Sequence, residues 1–247
     1  MKATLSTAEV IKEDDIHGLQ ESDTQSSHAT RKSAKLEACE LPIIDFHPTF
    51  YTKRIKPVFD ITAAAGALLV LAVPMLAIAA VVRLTMGNPV LFRQRRVGLN
   101  GKVFNVLKFR TMNHDRRLSE VNVNNEKRKT HKSEDDPRHT AVGRFMRRYS
   151  VDELPQLINV LRGEMSLIGP RPELESVVAR HYTKALHQRH LVKPGLTGLW
   201  QVSARGKGEM HENGGWDIHY LESISPFTDF KIVLRTFSVV FGSNQGR

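Results

Sequence analysis

From Ile61 to Val82 the chain reads ITAAAGALLVLAVPMLAIAAVV, a run without a single charge. As one straight helix it would reach about 33 Å at ~1.5 Å per residue, enough to cross a hydrocarbon core of ~30 Å. A segment like this has to sit in or against a membrane, and the remaining chain has to be arranged around it. Two features argue against a simple crossing. Pro74 lies inside the run, where proline removes a helical hydrogen bond and crowds the preceding turn, and the arm from Ile61 to Val73 covers only ~20 Å. Both flanks are basic, with Lys53, Arg54 and Lys56 before the run and Arg83, Arg93, Arg95 and Arg96 after it, and basic flanks favour the cytoplasmic side. A Pro-kinked helix that enters and leaves one leaflet satisfies both ends. We expect that re-entrant geometry over residues 51–85, with a single transmembrane span as the alternative. The carbonyl of Val70, deprived of its partner by Pro74, would then need protein or water near the headgroups.

Residues 1–50 are polar, rich in Ser, Thr and charge, and lack the apolar core and cleavage site of a secretory signal. A disordered tail is expected there. The 247 residues leave room for one further domain, 86–247. A net charge of +10 favours acidic partners, whether phosphate-bearing substrates, anionic lipid or nucleic acid. No nucleic-acid motif accompanies the charge, so nucleic acid is not expected. The single cysteine, Cys39, excludes an internal disulfide framework. His181, His187 and His190 have no zinc spacing and read as a solvated helix face.

The segment VLFRQRRVGLNGKVFNVLKFRTM is a β-hairpin by pattern. Asn100-Gly101 is a favoured two-residue turn, and beyond it apolar and polar residues alternate with period two. Lys108 and Arg110 then share a face, either solvated or turned toward a phosphate. Asn113 to Thr140 is polar with mixed charge and reads as a long loop. After it comes RRYSVDELPQLINVLRGEMSLIGPRPE. Ser150 and Glu153 have the spacing of a capping box, which from spacing alone is the favoured reading. Pro155 fits better with Asp152 as the N-cap, because the missing amide then falls among the unpaired ones of the first turn. Capping does not exclude chemistry: a helix start beside Arg147 and Arg148 would keep a carboxylate ionised and draw phosphate. In the loop that follows, Pro170 and Pro172 stiffen the backbone on either side of Arg171, a guanidinium suited to bidentate phosphate or carboxylate recognition. Farther on, Trp200, Arg205 and Lys207 would suit a base and its phosphates, with core packing of Trp200 at least as reasonable. Two helical patterns close the chain. In the second, Phe230, Val233, Leu234 and Phe237 share a face beside Lys231 and Arg235, fit either for the core or for a membrane surface.

Taken in order, these motifs resemble the bacterial sugar transferase family, the monotopic phosphoglycosyl transferases that begin exopolysaccharide and glycan assembly. The resemblance runs from about Lys53 to Gly242 and implies several things. The fold would be α+β and mainly helical, a small β-hairpin packed with helices behind the membrane helix, and the chain would look like the family's minimal catalytic unit. The reaction would be transfer of a sugar 1-phosphate from a nucleotide sugar, UDP-linked, to undecaprenyl phosphate, with Mg²⁺ and a phosphosugar-enzyme intermediate. The enzyme would sit at the bacterial inner membrane with its catalytic domain on the cytoplasmic face. The family's Asp-Glu pair falls on Asp152, the nucleophile, and Glu153, both in contact with the metal. Its phosphate-binding positions fall on Arg147, Arg171, Lys108 and Arg110, and its acidic residue near the C-terminal helix on Asp217. One departure stands out: relatives often carry Ser-Pro at the kink, where this chain has Val73-Pro74. The motifs choose neither the sugar nor the oligomeric state. The rival reading is a basic membrane-anchored scaffold of a polysaccharide assembly complex, in which the Asp-Glu pair would be purely structural.

Overall fold

The computed structural model describes residues 41–112, 140–203 and 210–241. The polar tail to residue 40, nearly all of the loop expected at 113–140, and Arg205 and Lys207 lie outside them. A single wide turn at Tyr51–Ile55 opens into helix α1, Lys56–Met86. Pro57 stands at its start, where its missing amide costs nothing, and Pro74 is carried inside it without ending it. The 36 helical residues, whose most apolar stretch has mean hydropathy 2.6, are long and apolar enough to cross a membrane.

One flank of α1 is not available to lipid. Ala64, Ala67, Leu68 and Leu71 pack on Val106, Leu157, Val160 and Met165, and farther along Met75, Ile78, Ala79, Val82 and Met86 pack with Phe109 and Met146. These positions recur every three to four residues, the spacing of one helix face. The other flank, including Leu69, Val70, Val73 and Leu84, is exposed. Asp60, buried at the start of the apolar run, accepts hydrogen bonds from Ser166 Oγ at 2.7 Å and Leu167 N at 3.1 Å.

Strands β1 (Leu91–Val97) and β2 (Val103–Phe109) form the expected hairpin, antiparallel from Leu91↔Phe109 to Val97↔Val103. Its turn is longer than a two-residue one: Asn100 and Gly101 both take positive φ, 53° and 75°, but within a loop closed by Gly98 N to Lys102 O at 2.8 Å. Helices α2 (Ala141–Arg148) and α3 (Gln156–Leu161) follow, then β3 (Ser166–Ile168) and β4 (Glu173–Leu174). β4 pairs antiparallel with β1, whereas β3 pairs in parallel with β5 (Gly195–Thr197). The Gly-Pro-Arg-Pro loop thus bridges two small sheets. Gly169 is required there, because a Cβ would sit 2.5 Å from the Lys193 carbonyl oxygen.

Helices α4 (Glu175–His181), α5 (Lys184–His187), α6 (Leu199–Ser203), α7 (Gly215–Ser223) and α8 (Pro226–Phe241) complete the chain. The architecture is the α+β, mainly helical one expected. Two local expectations change, and Trp200 takes one of the two readings left open for it. Residues 41–50 lie against the domain: Gln188 accepts from Ile44 N at 2.5 Å and donates to Pro42 O at 2.8 Å, and Ile44 and Phe46 pack beside Tyr220 and Ile232. His190 is buried and stacked on Tyr182 rather than solvated, and burial together with Arg189 pushes it down to about 3. Trp200 is a packing residue, set against Met210 and Trp216. In α8, Ile232 turns inward while Phe227, Phe230, Leu234 and Phe237 are exposed.

Candidate active site

Asp152 and Glu153 occupy a 3-10 turn, Val151–Glu153, between α2 and α3. The capping reading does not hold. Ser150 adopts a left-handed conformation, φ 55°, and its side chain makes no capping bond. Pro155, not Asp152, flanks the first residue of α3. Relieved of capping, Glu153 points into a cluster of cations. Its Oε1 accepts from Lys108 Nζ at 2.8 Å and from an Arg171 guanidinium nitrogen at 2.9 Å, and its Oε2 lies 3.5 Å from the other. Lys108 comes from β2 and Arg171 from the Gly-Pro-Arg-Pro loop, so three separate elements converge on one carboxylate.

The adjacent carboxylates are thereby driven apart. Burial alone would raise Glu153, but Arg171 and Lys108 hold it well below the usual carboxylate range. Asp152 is buried, and burial, then the charge of Glu153, push it up to about 6 against the opposing pull of Lys108 and Arg171. The cations bond to Glu153, while Asp152 remains a poorly solvated carboxylate beside them. A carboxylate so placed, ionised at neutral pH, weakly hydrated and next to two positive charges, has the chemical character of an oxygen nucleophile.

Sequence reasoning placed Lys108, Arg171, Asp152 and Glu153 together, and the structure does so. Arg147 is half-buried on the last turn of α2 and joins the Asp-Glu turn through its carbonyl, which accepts from Ser150 N at 3.2 Å. Two expectations are corrected. Arg110 is engaged elsewhere: its guanidinium donates to the carbonyls of Met86, Gly87 and Asn88, closing the C-terminal end of α1. Backbone carbonyls left over at a helix end need a donor, and Arg110, one residue past β2, is the one that reaches them. Asp217 does not face the dyad either. It is buried and paired with Arg189 at 2.7 Å.

Arg189 was not foreseen, and it links Asp217 to the site. It donates to the carbonyl of Arg171 at 2.6 Å and to the Tyr182 hydroxyl. From the other side, Arg96 donates to the carbonyl of Pro172 at 3.1 Å. The loop that presents Arg171 is therefore held at two consecutive carbonyls. Removing one partner of a buried ion pair costs about 3–5 kcal/mol. Arg189→Met should accordingly lower the melting temperature by roughly 10 °C in a thermal scan, with Arg189→Lys intermediate because it restores the charge without the fork. Asn159 was also missed. It is fully buried, accepts from Leu107 N at 3.0 Å, and donates to Asn105 O at 2.8 Å and Glu164 Oε2 at 2.6 Å, locking α3 to the strand that carries Lys108.

This succession of parts matches the model for bacterial sugar transferases over residues 51–243. The chain belongs to the bacterial sugar transferase family. Among the relatives of this transferase, the exopolysaccharide production protein ExoY of Sinorhizobium fredii is 41% identical over 203 residues, covering 76% of this chain and 89% of that protein. The sugar transferase EpsL of Bacillus subtilis is 42% identical over 189 residues, 76% of this chain and 88% of EpsL. The undecaprenyl-phosphate galactose phosphotransferase of Salmonella typhimurium is 38% identical over 196 residues, 76% of this transferase but 41% of that longer protein. An enzyme, rather than a scaffold, is what the family match supports.

Proposed function

We propose that this transferase is a phosphoglycosyl transferase that moves a sugar 1-phosphate from a UDP-sugar to undecaprenyl phosphate on the cytoplasmic face of the bacterial inner membrane, the first step of exopolysaccharide assembly. Relatives named for undecaprenyl-phosphate galactose and glucose transfer support the acceptor, and those named for exopolysaccharide production support the pathway. The observation that carries the chemistry is the division of labour in the dyad: Glu153 takes the cations and Asp152 is left buried and raised to about 6. In the first step a carboxylate oxygen of Asp152 bonds to the sugar-bearing phosphorus. The bond from that phosphorus to the bridging oxygen breaks, and its electron pair leaves with uridine monophosphate. In the second, a phosphate oxygen of the lipid bonds to the same phosphorus and the carboxylate is released. Neither step requires a proton from the enzyme, since all the exchanging groups are anions. Catalysis then rests on placement and on opposite charge, supplied by Lys108 and Arg171 as they turn from Glu153 toward the diphosphate.

Mg²⁺ belongs to this proposal. Among the described residues no three His, Cys, Asp or Glu side chains gather as a cage. The donor set suits an ion that arrives on the diphosphate and keeps much of its water, the usual manner of Mg²⁺. Glu153 Oε2, with only its long contact to Arg171, and Asp152 would hold it, and it would supply charge neutralisation on the phosphate oxygens.

The re-entrant placement has support in the packing of α1. Asp60 and the carbonyl of Met86 are both bonded to the same globular domain, although a straight crossing would separate them by roughly 39 Å. A helix embedded in one leaflet keeps both contacts out of hydrocarbon. The exposed aromatic stripe of α8, with Lys231 over the Phe227 ring at 4.4 Å, offers a second apolar surface at the same membrane.

The test is release of uridine monophosphate from UDP-galactose and UDP-glucose by the purified membrane-embedded protein, with undecaprenyl phosphate and Mg²⁺. Without acceptor, intact mass should rise by one phosphosugar, located on Asp152. Folded protein that releases nothing from these donors or from UDP-acetamido sugars would restore the scaffold reading.

A further inference from the structure

Ahead of the residues that match the family model, the chain from Leu41 to His47 lies on the domain without helix or strand of its own. Its side chains alternate. Ile44 and Phe46 pack beside Tyr220 and Ile232, while Ile43, Asp45 and His47 are exposed, the pattern of an extended strap laid on a surface. The backbone of such a segment needs partners, and one buried side chain supplies them. Gln188 accepts the Ile44 amide on Oε1 at 2.5 Å and donates from Nε2 to the Pro42 carbonyl at 2.8 Å. Leu41 reaches the start of α7, where its Cδ1 is 3.4 Å from the place that a Cβ on Gly214 would take.

These anchor points bracket the ion pair behind the active site. Gln188 precedes Arg189 in a single 3-10 turn, Gln188–Leu191. Successive residues of such a turn project about 120° apart, so the turn meets the strap through Gln188 and sends Arg189 another way, to Asp217 at 2.7 Å and to the carbonyl of Arg171 at 2.6 Å. Asp217 stands on α7, the helix that Leu41 meets at its start and that also carries Tyr220. The strap therefore fastens the turn that carries Arg189 to the helix that carries Asp217. A lone 3-10 turn holds poorly by itself, yet the loop presenting Arg171 depends on this one. We propose that the Leu41–His47 strap is a positioning element of the transferase: docked on Gln188, it keeps Arg189 and Asp217 together and so holds Arg171 set for the donor diphosphate. This rests on the reading of the site as a phosphoglycosyl transferase. Coupling of this kind is reciprocal, so a bound diphosphate must in turn hold the strap down.

The experiment follows hydrogen exchange in the full-length protein in phospholipid nanodiscs. Gln188→Leu keeps the bulk and removes both bonds to the strap. The paired change Ile44→Ala with Phe46→Ala loosens the strap and leaves the turn untouched. In each, exchange is expected to quicken about tenfold in the peptides containing Ile44, Arg189 and Arg171, with the β1–β2 hairpin unchanged. The donor KM for release of uridine monophosphate should rise several-fold and the acceptor KM should stay. In the wild-type protein, UDP with Mg²⁺, which brings the diphosphate and has no sugar to transfer, should slow exchange at Ile44. An Arg171 peptide or a donor KM that stayed at the wild-type value in variants with a loosened strap would overturn the assignment, as would a strap indifferent to bound UDP. Should Gln188→Leu exchange throughout, as an unfolded chain does, the alanine pair and the wild-type response decide. A wild-type protein that released no uridine monophosphate, while its variants still loosened the Arg171 peptide, would refute the transferase reading and leave the strap's hold on that loop standing.

Discussion

Asp152→Asn is expected to abolish transfer and, in the same protein, to raise the melting temperature. The first effect follows from losing the nucleophile: an amide oxygen cannot form the phosphosugar adduct, and kcat should fall by a factor on the order of 10⁴ or more. The second follows from the raised pKa. Between the ordinary value of 3.8 and about 6, the folded protein holds a proton on Asp152 that the unfolded chain has already released. Stability therefore falls as pH rises through that window, and the deficit is complete above about pH 6. At ~1.36 kcal/mol per unit the ceiling is roughly 3 kcal/mol, of which an amide that must still find hydrogen-bond partners would recover about 1–2 kcal/mol. The melting temperature should rise by roughly 3–6 °C at pH 7.5, and the gain should vanish below about pH 4, where the wild-type carboxyl is neutral in both states. An inactive variant that melted lower at pH 7.5 would contradict the burial argument. A scaffold whose Asp152 is structural would lose stability and have no transfer to lose.

What could be read in the sequence was whatever a local pattern dictates. The uncharged run from Ile61 to Val82 had to be a helix, and Val103 to Phe109 had to be a strand. Arg171 between two prolines had to stand on a stiff loop. What could not be read was the choice each polar side chain makes among distant partners. Ser150 and Glu153 have capping-box spacing, yet Glu153 finds Lys108 and Arg171, and two cations stabilise a carboxylate more than one backbone amide does. Arg110 carries the same charge as Lys108 two residues earlier in the hairpin, but the unpaired carbonyls at the end of α1 lie within its reach. Asp217 and Arg189 are 28 positions apart and meet because α7 and the turn after α5 pack together; nothing in either neighbourhood announces it. Asp60 shows the converse. A carboxylate at the edge of an apolar helix looks like a flank charge, and only the amide of Leu167 and the hydroxyl of Ser166 explain why it can be buried. The resemblance to the family singled out Asp152 and Glu153 as a pair, whereas spacing alone favoured a capping role for Glu153 that the geometry does not show.

Glu153→Gln and Lys108→Met should move the acid limb of the pH–rate profile in opposite directions, which no general loss of structure would do. In the wild-type enzyme the rate should fall as pH drops through about 6 and Asp152 takes up its proton. Glu153 contributes to that value by repulsion, and its glutamine replacement removes the repulsion. It also frees Lys108 and Arg171 to pair with Asp152, so the limb shifts to lower pH. The plateau rate should drop roughly 10²-fold, because an ion-paired Asp152 is a poorer nucleophile and the two cations no longer wait for the diphosphate. Lys108 acts with the other sign, drawing the Asp152 value down. Its loss should carry the limb above pH 6 and raise the donor KM, since one of the charges that meets the phosphates is gone. Arg171 remains on Glu153 at 2.9 Å, so the dyad keeps its geometry in that variant. Single-turnover release of uridine monophosphate, followed from pH 4.5 to 8.5, measures both limbs without the acceptor step. Limbs that moved together, or stayed at the wild-type position, would mean that Asp152 does not set the rate. Divergence would tie the reaction to this carboxylate and assign Glu153 its part: it keeps its neighbour reactive by occupying the cations until the substrate takes them.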